Sequence, residues 1–234
     1  MINYGDIELT DIAPVKIEDV VVSPIRMNAV ARQRAVKFGE EYIRMTGSTR
    51  TVTVTFALLE IDTAERESAM DAIRTWAFSE VEKKLSLPQF EDRYLECVCT
   101  QMPDHSYRKW WESKLKIIFT CFNNPYWNSN ELIEVPCGNT FSIGGSAQPL
   151  MTIERTGSLA LTNQTYSNQI GGVMTFSRVP AGSLVIDLNR QTAAVGGSSI
   201  MAYYSPSSVW ITPRIGANQV ITGAGVIKYR ERWV

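Results

Sequence analysis

The chain has 234 residues, 44% of them hydrophobic and 20% charged, with a formal net charge of −1. This is a globular composition, long enough for one large or two ordinary domains. The near-zero charge excludes a global electrostatic attraction to DNA or to an acidic membrane. Four cysteines (Cys97, Cys99, Cys121, Cys137) lack the spacing of a disulfide framework. Met1 to Asp6 has neither a basic nor an apolar signal region, and no apolar run approaches the ~20 residues of a membrane span. A protein folded in a reducing cytoplasm is expected.

Charge is uneven along the chain. Residues 1–130 carry 19 acidic and 16 basic side chains, and residues 131–234 carry 5 and 7. The change falls at Thr120-Cys121-Phe122-Asn123-Asn124-Pro125-Tyr126-Trp127-Asn128. Pro125 lacks an N–H and disfavours helix at Asn124, and the asparagines favour a turn. Tyr126 and Trp127 suit packing at a domain surface. Asn124, Pro125, Tyr126 and Trp127 are therefore read as the joint between a first domain, 1–128, and a second, 129–234.

In chain order, the β-branched run Val15–Val22 predicts a strand closed by Pro24. The segment from Ile25 to Lys37 carries Arg26, Arg32, Arg34 and Lys37 with no acid between them. It reads either as an arm or hairpin reaching an acidic surface on another subunit, or as a solvated loop. Residues 39–45 are expected to return as a strand that turns at Gly47-Ser48. Val52, Val54, Phe56 and Leu58 alternate with threonines and Ala57, a half-buried strand. Asp62 with Glu65 predicts a helix start. Ala69, Met70, Ile73, Trp76, Ala77 and Val81 form its apolar stripe, a core face. Leu87-Pro88 is placed just beyond its end. Residues 93–100 and 114–122 alternate and predict a strand pair joined by a segment holding His105, Trp110 and Trp111. If they pair, Cys97, Cys99 and Cys121 fall on one apolar side, as buried thiols and not as metal ligands.

From Leu132 on, short apolar runs alternate with turn residues, and a β-sandwich is predicted. Its expected strands are 132–135, 141–143, 150–154, 159–162, 173–176, 184–187, 193–195, 200–204, 209–212, 220–222 and 226–232. Residues 187–191 read as a tight turn, with Asn189 tolerating a left-handed conformation. The fold class is thus α+β, mostly β: an N-terminal mixed β domain with one amphipathic helix, then a C-terminal galectin-like antiparallel β-sandwich.

Signals for chemistry are weak. His105 is the one histidine. No G-x-S-x-G nucleophile context is present, and neither Gly144-Gly145-Ser146 nor Gly196-Gly197-Ser198-Ser199 continues as a phosphate loop. The neighbouring acids Glu40-Glu41 and Glu91-Asp92 make no argued acid–base pair. No catalytic residue, cofactor or metal is expected, and the chain is read as a non-enzyme.

Together these pieces resemble the distal tail proteins of long-tailed bacteriophages with non-contractile tails. The resemblance rests on Gly47-Ser48-Thr49-Arg50-Thr51-Val52-Thr53-Val54, the helix with Trp76, and Arg93-Tyr94. It continues through Asn124-Pro125-Tyr126-Trp127, Val185-Ile186-Asp187, Val195-Gly196-Gly197, Trp210-Ile211-Thr212-Pro213 and Gly216-Ala217-Asn218-Gln219-Val220. The spacing from Pro213 to Gly216 departs from the family's tight Pro-Gly turn. The resemblance implies a structural virion protein at the tail tip. First domains associate as a homohexameric ring around the channel, and the second lie outside it. Implied partners are other copies of the chain, the tail tube protein, tail-tip or tail-associated proteins, and receptor-binding or baseplate proteins. DNA passes through the lumen without specific binding, no membrane is contacted, and synthesis is in the host bacterial cytoplasm. On this reading Arg26, Arg32, Arg34 and Lys37 reach an adjacent subunit, where Glu40, Glu41 or Glu60 receive them. Rival readings are a carbohydrate-binding β-sandwich module, a cell-wall hydrolase, and a tail-tube protein.

Overall fold

A computed structural model describes residues 1–33, 40–59, 62–103 and 114–234. It divides the chain into two compact units, Met1–Trp127 with Val234, and Asn128–Trp233.

The first unit begins with β1 (Asn3–Tyr4), β2 (Ile7–Glu8) and a one-turn helix, α1 (Leu9–Ile12). Then follow β3 (Val15–Val22), β4 (Arg26–Gln33), β5 (Glu40–Leu58), α2 (Thr63–Ala77), β6 (Lys83–Leu87), β7 (Phe90–Gln101) and β8 (Leu115–Cys121). Its main sheet is antiparallel, in the order β3-β5-β8-β7-β6-β1-β2. The inward row of β5, Val52, Val54 and Phe56, lies opposite Phe119, Ile117 and Leu115 of β8 in register, and all six are buried. The predicted alternation is the observed one.

Helix α2 begins where the Asp62 side chain accepts the Glu65 N–H at 2.9 Å, satisfying one of the free donors of the first turn. It ends at Phe78, whose extended backbone stops the helical repeat. Met70, Ile73, Trp76 and Ala77 are buried. The Trp76 ring packs edge-on against Tyr4 (5.7 Å between centroids) and Phe119 (6.1 Å), and its Nε1–H donates to the Ile7 carbonyl at 3.0 Å. Val81, expected on the helix stripe, lies past the helix end and is exposed. The segment leading to Leu87-Pro88 is not a helix tail. It is β6, which turns through Pro88 and Gln89 into β7 and buries Leu85 and Leu87.

Gly47-Ser48 is likewise not a turn, because β5 runs through both residues. Gly47 faces Met27 beside a shift in register between Arg26 and Met27. A glycine at a strand irregularity is a common accommodation of a bulge.

A short strand, β9 (Trp127–Ser129), spans the boundary. The second unit then contains β10 (Ile133–Pro136), β11 (Thr140–Phe141), β12 (Ala147–Gly157), β13 (Leu161–Asn168), β14 (Val173–Val179) and β15 (Gly182–Asp187). It closes with β16 (Thr192–Val195), β17 (Ser198–Ser199), β18 (Gln219–Thr222) and β19 (Val226–Trp233). Within this unit one antiparallel sheet runs β17-β16-β15-β12-β19-β10, and a second runs β11-β18-β13-β14. Their inner faces share one core. Met151, Ile153, Ile186, Ile227 and Tyr229 come from the first sheet, and Tyr166, Met174, Phe176 and Ile221 from the second. This is a β-sandwich. On the first sheet Lys228 is bracketed by Glu134 of β10 (3.0 Å) and Glu154 of β12 (3.2 Å), a cross-strand charge pairing.

Two expected strands are absent. Residues 200–204 hold a 3-10 turn over Met201–Tyr203, and Val209 makes only an isolated bridge to Val173. The 187–191 turn forms, but Gln191 adopts the left-handed conformation (φ 55°) expected of Asn189. The Asp187 carboxylate accepts the Asn189 and Arg190 N–H groups, both at 2.9 Å. Asn189 is thereby free to clamp β12, accepting the Met151 N–H at 2.8 Å and donating to the Pro149 carbonyl at 2.9 Å.

Candidate assembly surface

The described part of the basic segment is β4, which forms an antiparallel two-stranded ribbon, here called the hairpin. β4 pairs with the first half of β5, from Arg26 opposite Thr49 to Gln33 opposite Glu40. The main sheet takes up β5 only from Arg50 onward, where β8 joins it, and from Val52, where β3 does. Among the described residues, β4 is thus the only strand paired with 40–49. An isolated two-stranded ribbon is at best marginal in water, and its two open edges offer unpaired N–H and C=O groups.

Arg26 opens β4 and is exposed. Arg32 lies on β4 directly opposite Glu41 in register, and Gln33 lies opposite Glu40. Two of the three acids assigned to a receiving subunit therefore sit on the hairpin itself. Arg34, Lys37 and Glu60 lie outside the described residues, as do His105, Trp110 and Trp111.

The joint residues are held by side-chain hydrogen bonds. Asn124 is buried, its Nδ2 donates to Glu96 at 3.3 Å, and its Oδ1 accepts the Tyr126 N–H at 3.3 Å, closing an Asx turn around buried Pro125. The Trp127 ring packs on Phe90 with centroids 4.5 Å apart. Sequence reasoning did not place two further residues at the joint. Glu82 Oε1 accepts the N–H groups of Phe122 (2.8 Å) and Asn123 (3.0 Å), and its Oε2 accepts Asn123 Nδ2–H at 2.9 Å. Arg50 is the other. It shares the inward parity of Val52 and Val54, is only 5% exposed, and its guanidinium carbon lies 5.9 Å from the Trp127 ring centre. Burial lowers its pKa, with Cys121 and Tyr126 opposing the shift. Burying an unpaired ion costs several kcal/mol, and a desolvated cation–π contact returns about 2. The parity of the alternating strand was the available signal.

Cys97 and Cys121 are fully buried, whereas Cys99 and Cys137 are half-buried. A hydrogen bond shared with Cys121, and then burial, push the Cys97 thiol far above its ordinary value. These are properties of apolar packing groups, not of reactive thiolates. Among the described residues no three His, Cys, Asp or Glu side chains gather as a metal would require, and no helix is long and apolar enough to cross a membrane. In the second unit Trp210 stacks on Tyr204 (5.1 Å, 17° between planes) and packs against the sandwich core.

These elements define a class: an antiparallel sheet backed by one helix and extended by a hairpin, followed by a β-sandwich. The crystal structure of the SPP1 Dit (gp 19.1) protein, described as a paradigm of hub adsorption apparatus in Gram-positive infecting phages, has this fold. It matches with a TM-score of 0.77 at 13% identity, over 100% of this chain and 98% of that one. Structures of the phage P2 baseplate in its activated conformation, with Ca and with Sr, match at TM-scores of 0.43 and 0.45, with 8% and 10% identity. They cover 95% and 94% of this chain, and 91% and 90% of theirs. No family model matches the chain, and no curated protein matches its sequence.

Proposed function

We propose that this chain is a structural protein of a bacteriophage virion, the distal hub of a tail. Copies associate as a hexameric ring that joins the tail tube to the tip and receptor-binding or baseplate proteins. The supporting observation is a fold match that runs through both units to a protein described as a phage adsorption hub. Function is built from self-association and needs no catalytic step.

The hairpin of β4 and the first half of β5 supplies the inter-subunit contact. A ring requires heterologous interfaces that close by rotation, and open strand edges are suited to one when a neighbour covers them. Arg26, Arg32, Arg34 and Lys37 give this arm its basic character, and the excess of acids in residues 1–130 supplies a complementary surface on the next subunit. The same acid excess suits a lumen that lets DNA slide, because neutralising phosphates would hold it.

Immunogold labelling of intact virions tests the reading, with antibodies against the purified chain decorating the tail tip. Negative-stain images of concentrated protein, alone or mixed with the tail tube protein, are expected to show discrete sixfold rings. Unlabelled tips, or stacked tubes in place of rings, reject it. Charge reversal at Arg32 and Arg34 lowers the oligomer mass measured by light scattering at moderate salt. An unchanged mass removes the arm from the interface.

A further inference from the structure

We propose that Arg50 holds a small monovalent anion at the inner end of β5. The Nε and one terminal nitrogen of its guanidinium are buried and have no hydrogen-bond partner. No carboxylate of a described residue pairs with it. A guanidinium does not relieve burial by losing its proton, as a lysine can. The Trp127 ring lies 5.9 Å from the guanidinium carbon. That contact is made through the π face of the ring and leaves the in-plane N–H donors unmet. Cys121, directly opposite Arg50 in register, is fully buried and brings no charge-compensating carboxylate. One buried positive charge with open donors beside a tryptophan and a thiol is neutralised by one negative charge. Access is narrow at 5% exposure, so the ligand is a halide-sized ion, not a multiply charged phosphate.

The test compares thermal unfolding of the full chain in sodium gluconate and in sodium bromide at one ionic strength. Crystals soaked in bromide are examined for anomalous scattering in parallel. Bromide at roughly thirty times its dissociation constant raises the midpoint by about 5 °C and gives an anomalous peak beside the Arg50 nitrogens. Arg50→Met removes both effects, and Arg50→Lys keeps a reduced salt effect. If Arg50→Met fails to fold, the peak in the wild-type crystal decides by its presence or absence. Equal midpoints with no peak overturn the proposal, and so does an equal shift in Arg50→Met. It is also overturned if the midpoint follows protein concentration instead of bromide and a carboxylate of a second copy occupies the site.

Discussion

The carboxylate of Glu82, in the link between α2 and β6, takes both backbone N–H groups of Phe122 and Asn123, at 2.8 and 3.0 Å. One side chain thereby fixes the turn that carries the chain out of β8, some forty residues away in sequence. Hydrogen bonds to a charged acceptor are each worth about 1.5–3 kcal/mol, less at a solvent-exposed site. Glu82→Ala is expected to lower unfolding stability by about 1–3 kcal/mol in urea titration. Glu82→Gln, which keeps one acceptor, loses about half of that.

Gly223 has φ of 134°, and a Cβ there would overlap the Tyr166 ring. Tyr166 is fixed in turn, its hydroxyl donating to the Ala224 carbonyl at 2.9 Å. Gly138 also has positive φ (93°) but open space around it. Gly223→Ala is therefore expected to cost about 3 kcal/mol or more, adding overlap in a packed core to backbone strain. Gly138→Ala costs about 1 kcal/mol from strain alone. Chemical denaturation of the two variants separates these contributions.

Stability should fall on the alkaline side. Burial pushes Tyr4 and Tyr166 up to about 12 from 10.0, and Cys97 is raised from 9.0 by its bond to Cys121 and by burial. In each case the folded state holds its proton after the unfolded chain has released it. The unfolded state then binds fewer protons, and unfolding free energy decreases as pH rises. The decline begins near pH 9 with Cys97 and steepens above pH 10 with the tyrosines. Each group contributes up to ~1.4 kcal/mol per pH unit. Unfolding titrations from pH 7 to 11 measure the slope, and Tyr166→Phe makes it shallower above pH 10.

Thiol labelling offers an independent check on packing. Iodoacetamide on the native protein is expected to modify Cys99 and Cys137 slowly, since both are half-buried with raised pKa. Cys97 and Cys121 stay unmodified until denaturant is added. Peptide mass spectrometry reads the order, and early modification of Cys121 would contradict the burial of the β7–β8 face.

Where one periodicity governed a segment, the fold was legible. Val52, Val54 and Phe56 announced an inward strand row, and Met70, Ile73 and Trp76 a helix face. The failures occur where two signals competed. Val81 continues the helical period of Ala77, yet nothing in the pattern marks that Phe78 turns extended. Gly47-Ser48 has turn composition, but pairing with β4 holds it in a strand. The two-residue strands β1 and β2 are too short to carry any period; β1 forms because β6 offers it an edge, and β2 because β1 does. Arg50 was the least legible residue. Its charge says surface and its place in the alternation says core, and only the folded sheet shows that place winning. The basic residues of the arm were recognisable by composition, but strand register alone reveals that Arg32 faces Glu41 within the same hairpin.

β5 is one uninterrupted strand from Glu40 to Leu58, shared between the hairpin and the centre of the main sheet. The two register shifts of the ladder lie within the hairpin half, at Ile43 and Ser48, so any bending is taken up there, before the strand enters the main sheet. Tension passes down a single backbone into a sheet flanked on both sides, where many ladder bonds resist sliding together. Whatever grips the hairpin is mechanically fastened to the core of the first unit.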